Sequence, residues 1–147
     1  MKKISLLPLV IIGGIGIWYL LRLRNLGVNL IYVIRSIRIA GGSILQPNIE
    51  IAIGIQNAST ASARLKSLTG ELLLENTVIA NFSNFENNLI KGNSETIVKI
   101  TAIPNVINVL TIVKDIILKK QKGKIFKLNG RANVNDVIVP FVTTYQF

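Results

Sequence analysis

The residues most able to do chemistry in this sequence are six lysines, Lys114, Lys119, Lys120, Lys122, Lys124 and Lys127, crowded into one short stretch. Ammonium groups at that spacing are candidate contacts for phosphate, on a lipid head group or on a nucleic acid. Lys119, Lys120, Lys122 and Lys124 are the closest set. The competing reading is a solvated helix end and loop, because runs of like charge commonly only keep a face wet. Phe126 is the one aromatic close by, and it falls in a predicted strand, which argues against a base-stacking surface.

Other constellations are thin. The chain has no histidine and no cysteine. It therefore lacks the commonest general base, any thiolate nucleophile, any zinc–thiolate site and any disulfide. Glu50, Glu71, Glu75, Glu86, Glu95, Asp115 and Asp136 are scattered, and no spacing pairs two of them for acid–base work. Ser59, Thr60 and Ser62 have no histidine to activate them. Asn57-Ala58-Ser59 and Asn81-Phe82-Ser83 match the glycosylation acceptor pattern, which matters only in a glycosylating compartment. No phosphate loop, dinucleotide fingerprint or calcium loop is present, and Gly13-Gly14-Ile15-Gly16 lies inside an apolar stretch. The expectation is a chain that is not an enzyme, with no catalytic residues, cofactor, metal or small-molecule substrate.

The elements that must position the lysines read mostly as strands. Leu30 to Ala40 is rich in Ile and Val, and Gly41-Gly42-Ser43 marks a turn. Ile49, Ile51, Ile53 and Ile55 take every second position, the pattern of a half-buried strand, and Asn57-Ala58-Ser59-Thr60 ends it. Leu65 to Leu74 alternates, with Gly70 as a candidate bulge. Glu75-Asn76 predicts a hairpin turn and Val78-Ile79-Ala80 its return, with Phe82 and Phe85 in an Asn-rich connection. Leu89-Ile90 precedes a turn at Lys91-Gly92-Asn93-Ser94, and Glu95 to Ile103 alternates again up to Pro104.

From 105 to 120 the period changes. Val106, Val109, Leu110, Val113, Ile116 and Ile117 fit spacings of three and four, which predicts an amphipathic helix starting at Pro104 and ending at Gly123. The lysines thus fall at its C-terminal end, where cations suit the helix dipole. Ile125 to Ala132 and Val137 to Phe147 are the last strands, around a turn at Asn133 to Asp136, and Pro140 points to an edge strand. About seven short strands and one helix predict an antiparallel sandwich over residues 30–147.

The segment before it differs. Ile4 to Leu21 carries no charge. As a helix it would span roughly 27 Å, just under a hydrocarbon core. Trp18 and Tyr19 sit near its far end, where amphipathic rings favour the interface, and Arg22 and Arg24 can snorkel beyond them. No small-x-small cleavage site follows directly, so residues 1–24 read as a tail and a retained transmembrane anchor, with 25–29 as a short linker. Ile4 and Leu21 bound the span. Residues 1–41 hold six basic residues and no acid, against eleven and seven in the remainder. Bases on both flanks leave the side of the membrane open.

The order of pieces from about Leu30 to Phe147 resembles the group-2 late embryogenesis abundant proteins, also called the WHy domain. The pieces are the alternating strand Ile49–Asn57, the hairpin with Gly70 and Glu75-Asn76, the turn and polar strand Lys91-Gly92-Asn93-Ser94-Glu95-Thr96-Ile97, a helix, and the hairpin running from Leu128-Asn129-Gly130-Arg131 to Ile138-Val139-Pro140-Phe141. Where the family usually has Asn-Pro, this chain has Asn57-Ala58. The resemblance implies an immunoglobulin- or fibronectin-like sandwich with one helix, no catalytic residues, and a role in water-stress protection and association with membranes.

The combined expectation is a single-pass membrane protein presenting a mainly β domain as a structural or interaction module. Its partners would be the lipid bilayer and other subunits at sandwich edges. Two alternatives stand beside it. One is a structural membrane protein of a virion or envelope assembly. The other is a membrane-tethered binder of nucleic acid or anionic lipid through the lysines.

Overall fold

The computed structural model describes residues 29–43, 46–105 and 107–147. The predicted anchor (residues 1–24) and all of the linker but Asn29 lie outside them. Among the described residues no helix is long and apolar enough to cross a membrane.

Eight strands and one helix follow in order: β1 (Leu30–Gly42), β2 (Pro47–Asn57), β3 (Ala63–Leu74), β4 (Thr77–Asn84), β5 (Asn88–Ile90), β6 (Ser94–Pro104), α1 (Ile107–Lys119), β7 (Ile125–Val134) and β8 (Val137–Gln146). Every pairing is antiparallel, in the order β1-β2-β6-β4-β3-β7-β8, with β5 on β3. Two hairpin turns, Glu75-Asn76 (φ 47° and 68°) and Asn135-Asp136 (φ 50° and 67°), place both central residues in the left-handed region that matches strand twist.

The alternation in β2 does what its spacing requires: Ile49, Ile51, Ile53 and Ile55 are each at most 1% exposed. Its other face is also covered at Ala52 and Gly54, so this strand is central and not half-buried. Val98, Ile100 and Ala102 of β6 face the same core, while Ile97, Lys99 and Thr101 face out. Val113, Ile116 and Ile117 of α1 join it, and α1 packs against β1. Val106 and the side chains of Val109 and Leu110 lie outside the described residues.

The expected sandwich is one continuous curled sheet. β4 bonds to β3 along its length and to β6 through three residue pairs, Ala80–Pro104, Asn81–Ile103 and Phe82–Ala102. Main-chain pairing therefore joins the layer β1-β2-β6 to the layer β3-β7-β8. The curl brings the two ends of the sheet together, where the rings of Tyr32 (β1) and Phe141 (β8) stack at 4.5 Å. Phe82 lies in β4, buried, and not in a connection; Phe85 is the exposed one. Gly70 is not a bulge. It pairs with both Phe82 and Gly130, and Gly130 pairs with Phe141. A Cβ on Gly70 would press on the Asn129 carbonyl and the Phe82 ring, and one on Gly130 on the Phe141 ring. Two phenyl rings thus lie over two glycines in one row across four strands. Pro104 closes β6 instead of opening the helix.

The registers define two poles. Leu30, where the chain enters β1, is level with Asn57 and, through β2, with Ser94. Asn57 reaches Ile90 of β5, so these residues form the proximal end. Gly42–Pro47, Pro104, the Glu75-Asn76 turn and the Ile125–Gln146 pair lie at the distal end. Thirteen residues of β1 separate the poles, roughly 40 Å at strand rise.

Candidate functional site

The lysine stretch is built by the way α1 stops. Gln121 N–H donates to the Ile116 carbonyl at 3.1 Å and Lys120 N–H to that of Ile117 at 3.3 Å, while Lys120 takes φ 47°. That is the Schellman closure, with Lys120 in the left-handed position usually held by glycine. The sequence placed the stop at Gly123; that residue (φ 85°) instead turns the chain three positions later. Across the β3–β4 turn, Glu75 N–H donates to the Ile125 carbonyl (3.1 Å), and Ile125 N–H donates to Glu75 Oε1 (2.9 Å). The loop is therefore pinned at both ends, and its last residues sit at the distal pole.

Lys119, Lys120, Lys122 and Lys124 are all exposed on this loop, and Lys114 and Lys127 are half-buried beside it. Lys119 pairs with Asp115 one turn back, at 3.5 Å. Residues 30–147 carry thirteen Lys or Arg and seven Asp or Glu, while 114–127 alone carry six and one. Most of the domain's net charge is therefore local. Two apolar side chains interrupt the lysines: Leu118 is 59% exposed and Ile125 44%.

The remaining candidates are spent on structure. Glu50 pairs with Arg38, Glu95 with Arg35 and Asp136 with Lys66. The described residues contain no group of three acids placed to hold a metal ion. Ser59 Oγ accepts from Ala61 N–H at 3.1 Å, a local turn bond and not a poised nucleophile. Asn57, 3% exposed, is unavailable as a glycosylation acceptor, because Nδ2 donates to the Ala61 carbonyl (2.9 Å) and the Ile90 carbonyl (3.3 Å), and Oδ1 accepts from Ser59 N–H (3.0 Å). Asn81 is exposed and bonded to Asn105. A shallow polar depression on the outer face of β3, β7 and β8 is lined by Thr69, Glu71, Asn129, Arg131 and Pro140. The anchor and interface residues Ile4, Trp18, Tyr19, Leu21, Arg22 and Arg24 lie outside the described residues.

No family model and no curated protein matches the sequence. Solved structures do. A protein from Archaeoglobus fulgidus, 11% identical, matches over 78% of this chain and 94% of its own, at TM-score 0.52. A protein from Arabidopsis thaliana, 8% identical, matches over 76% and 75%, at TM-score 0.55. A protein described as late embryogenesis abundant, 11% identical, matches over 80% and 68%, at TM-score 0.48. The likeness is one of fold.

Three arrangements escaped the sequence reading. Arg35 of β1 reaches across β2 to Glu95 of β6, its Nε donating at 2.7 Å. The crossing runs over Gly54, where any Cβ would overlap the Glu95 carboxylate. The signal available was a lone glycine within a strand. Asn57 read as a strand end and a glycosylation acceptor pattern, and nothing local announced that its side chain ties Ser59, Ala61 and Ile90 together. The hydroxyl of Tyr32 is buried without a hydrogen-bond partner, and burial pushes its pKa up to about 12; no local pattern announces that.

Proposed function

We propose that this chain is a membrane-tethered, non-catalytic β module of the group-2 late embryogenesis abundant (WHy) kind, holding a stable domain beside a bilayer as a structural or interaction unit under water stress. The observation that carries this reading is the uncharged stretch Ile4–Leu21, separated by a short linker from the first strand of a curled antiparallel sheet. The fold likeness to the Arabidopsis and Archaeoglobus proteins supports the type of domain. So does the order of pieces set out from the sequence. Acids tied into ion pairs along the flanks suit a scaffold better than an acid–base site.

The tether is tested by expressing the full chain, isolating membranes and extracting them with alkaline carbonate. The protein should stay in the pellet, and deletion of residues 1–24 should move it, folded by circular dichroism, into the supernatant. Full-length chain released by carbonate would end the reading. The protective role is tested separately, by dye leakage from vesicles dried and rehydrated with the inserted protein. Leakage equal to that of protein-free vesicles would remove the stress role and leave the tether standing.

A further inference from the structure

We propose that the lysine loop at the distal pole docks onto an anionic lipid bilayer, and that this bilayer is a second one, facing the membrane that holds the chain. The first half stands on the loop itself. Lys119, Lys120, Lys122 and Lys124 are exposed around exposed Leu118 and Ile125. Cations around apolar side chains match the head-group layer, where lysines meet lipid phosphate and the apolar groups enter the acyl boundary. A nucleic acid would instead call for stacking rings, and the aromatic in this segment, Phe126, is fully buried.

Lys120 is a second, independent pointer. A left-handed backbone strains a non-glycine residue, and glycine is the usual occupant of that position. A lysine there gives up stability and adds a charge at the tip of the loop, and strain of this kind is a reason to look for a function.

Direction supplies the second half, which rests on the tether proposed above. The chain enters β1 at the proximal end, so that pole is where the proposed tether would join the domain. The lysine loop lies at the other, roughly 40 Å away along β1. A domain standing on its tether therefore turns the lysines away from its own membrane.

The experiment uses the full chain in neutral phosphatidylcholine vesicles, mixed with separate fluorescent vesicles that are either neutral or about one-third phosphatidylserine. Co-flotation of the two populations is read. Anionic acceptors should be captured and neutral ones not. Each lysine near an anionic surface is worth about fivefold in partitioning, so changing Lys119, Lys120, Lys122 and Lys124 to Gln should weaken capture on the order of a hundredfold or more. Leu118→Ser should weaken it severalfold with the charge unchanged. Lys120→Gly should weaken capture while raising the unfolding midpoint, a combination that a purely structural lysine would not give. Undiminished capture by the quadruple variant, or capture of neutral acceptors as strongly as anionic ones, overturns the docking surface. Binding of a DNA duplex in place of vesicles also overturns it. Carbonate extraction of the donor vesicles is read in parallel. If the chain washes off them yet still binds anionic vesicles through these lysines, the loop assignment stands and the tether, with the second bilayer, falls.

Discussion

Replacing Asn57 with Ala should destabilise the domain by about 3–5 kcal/mol, more than any other polar truncation in it. The amide group is 3% exposed and makes three bonds: to the Ala61 carbonyl at 2.9 Å, to the Ile90 carbonyl at 3.3 Å, and from Ser59 N–H at 3.0 Å. Ile90 is fully buried, so its carbonyl would lose a partner where water does not reach, at a cost of about 1–3 kcal/mol. The two partly buried bonds add about 0.5–1.5 kcal/mol each. The effect should spread, because Asn93 N–H donates to the Ser59 carbonyl at 2.9 Å, and the turn holding Gly92 leans on the same loop. Guanidinium unfolding of the full chain, followed by circular dichroism, should show a lower midpoint at constant slope. A thermal midpoint lower by about 15 °C is expected for a domain of this size. Asn87→Ala is the control, since Asn87 is exposed and its side chain accepts one long hydrogen bond, from Arg64 at 3.4 Å; it should cost under about 0.5 kcal/mol. An Asn57→Ala loss below about 1 kcal/mol would show that the proximal loops do not hang on this side chain.

Two of the strand glycines should respond to different degrees. Gly54→Ala meets the flexible end of Glu95, which can swing aside at the expense of an exposed ion pair, about 0–1 kcal/mol; Gly70→Ala meets the backbone of Asn129 and the Phe82 ring and should cost about 2 kcal/mol or more. Denaturant midpoints check both. Tyr32→Phe removes a buried hydroxyl with no partner and should leave the stack on Phe141 intact, so stability near neutral pH should hold or rise by about 1 kcal/mol. The pH dependence has a definite sign. Burial raises the folded pKa of Tyr32 to about 12, above the ordinary value near 10. Its contribution is therefore whole below pH 10 and fades by about 2–3 kcal/mol as the unfolded phenol ionises between pH 10 and 12. Unfolding midpoints across that range should fall less steeply in Tyr32→Phe than in the parent.

Local patterns were legible where one face is apolar and the other wet. The isoleucines of β2 and Val113, Ile116 and Ile117 of the helix were placed by period alone, and the alternation of β6 was visible without showing which row faces the core. β4 was cut short because Asn81, Ser83 and Asn84 are poor strand formers and hide the inward pair Ala80 and Phe82. β5 is three residues long, too few to show any period. The meeting of Tyr32 with Phe141 and the crossing of Arg35 over Gly54 to Glu95 join strands whose adjacency no local pattern encodes. For the site, the lysines were visible as a cluster. Their gathering on one pinned loop, with Leu118 and Ile125 among them and Lys120 in the left-handed position, depended on where the helix stops.

Charge and chain direction coincide in this domain, and stability does not account for it. Glu50, Glu95 and Asp136 are paired along the flanks and at the proximal end, with partly exposed partners. Such pairs contribute about 0–1 kcal/mol each. What they do accomplish is to leave the flanks close to neutral, while 114–127 hold six lysines against Asp115 alone. At physiological salt that charge is felt only over about 8 Å, so the loop cannot steer a distant partner across the length of the domain. It can hold only a surface brought up to the distal pole. Near-neutral flanks let copies of the domain stand side by side without strong repulsion, so many such loops can meet one facing surface. On the docking proposed above, weak contacts would add up, and attachment should rise steeply with the density of protein in the donor membrane.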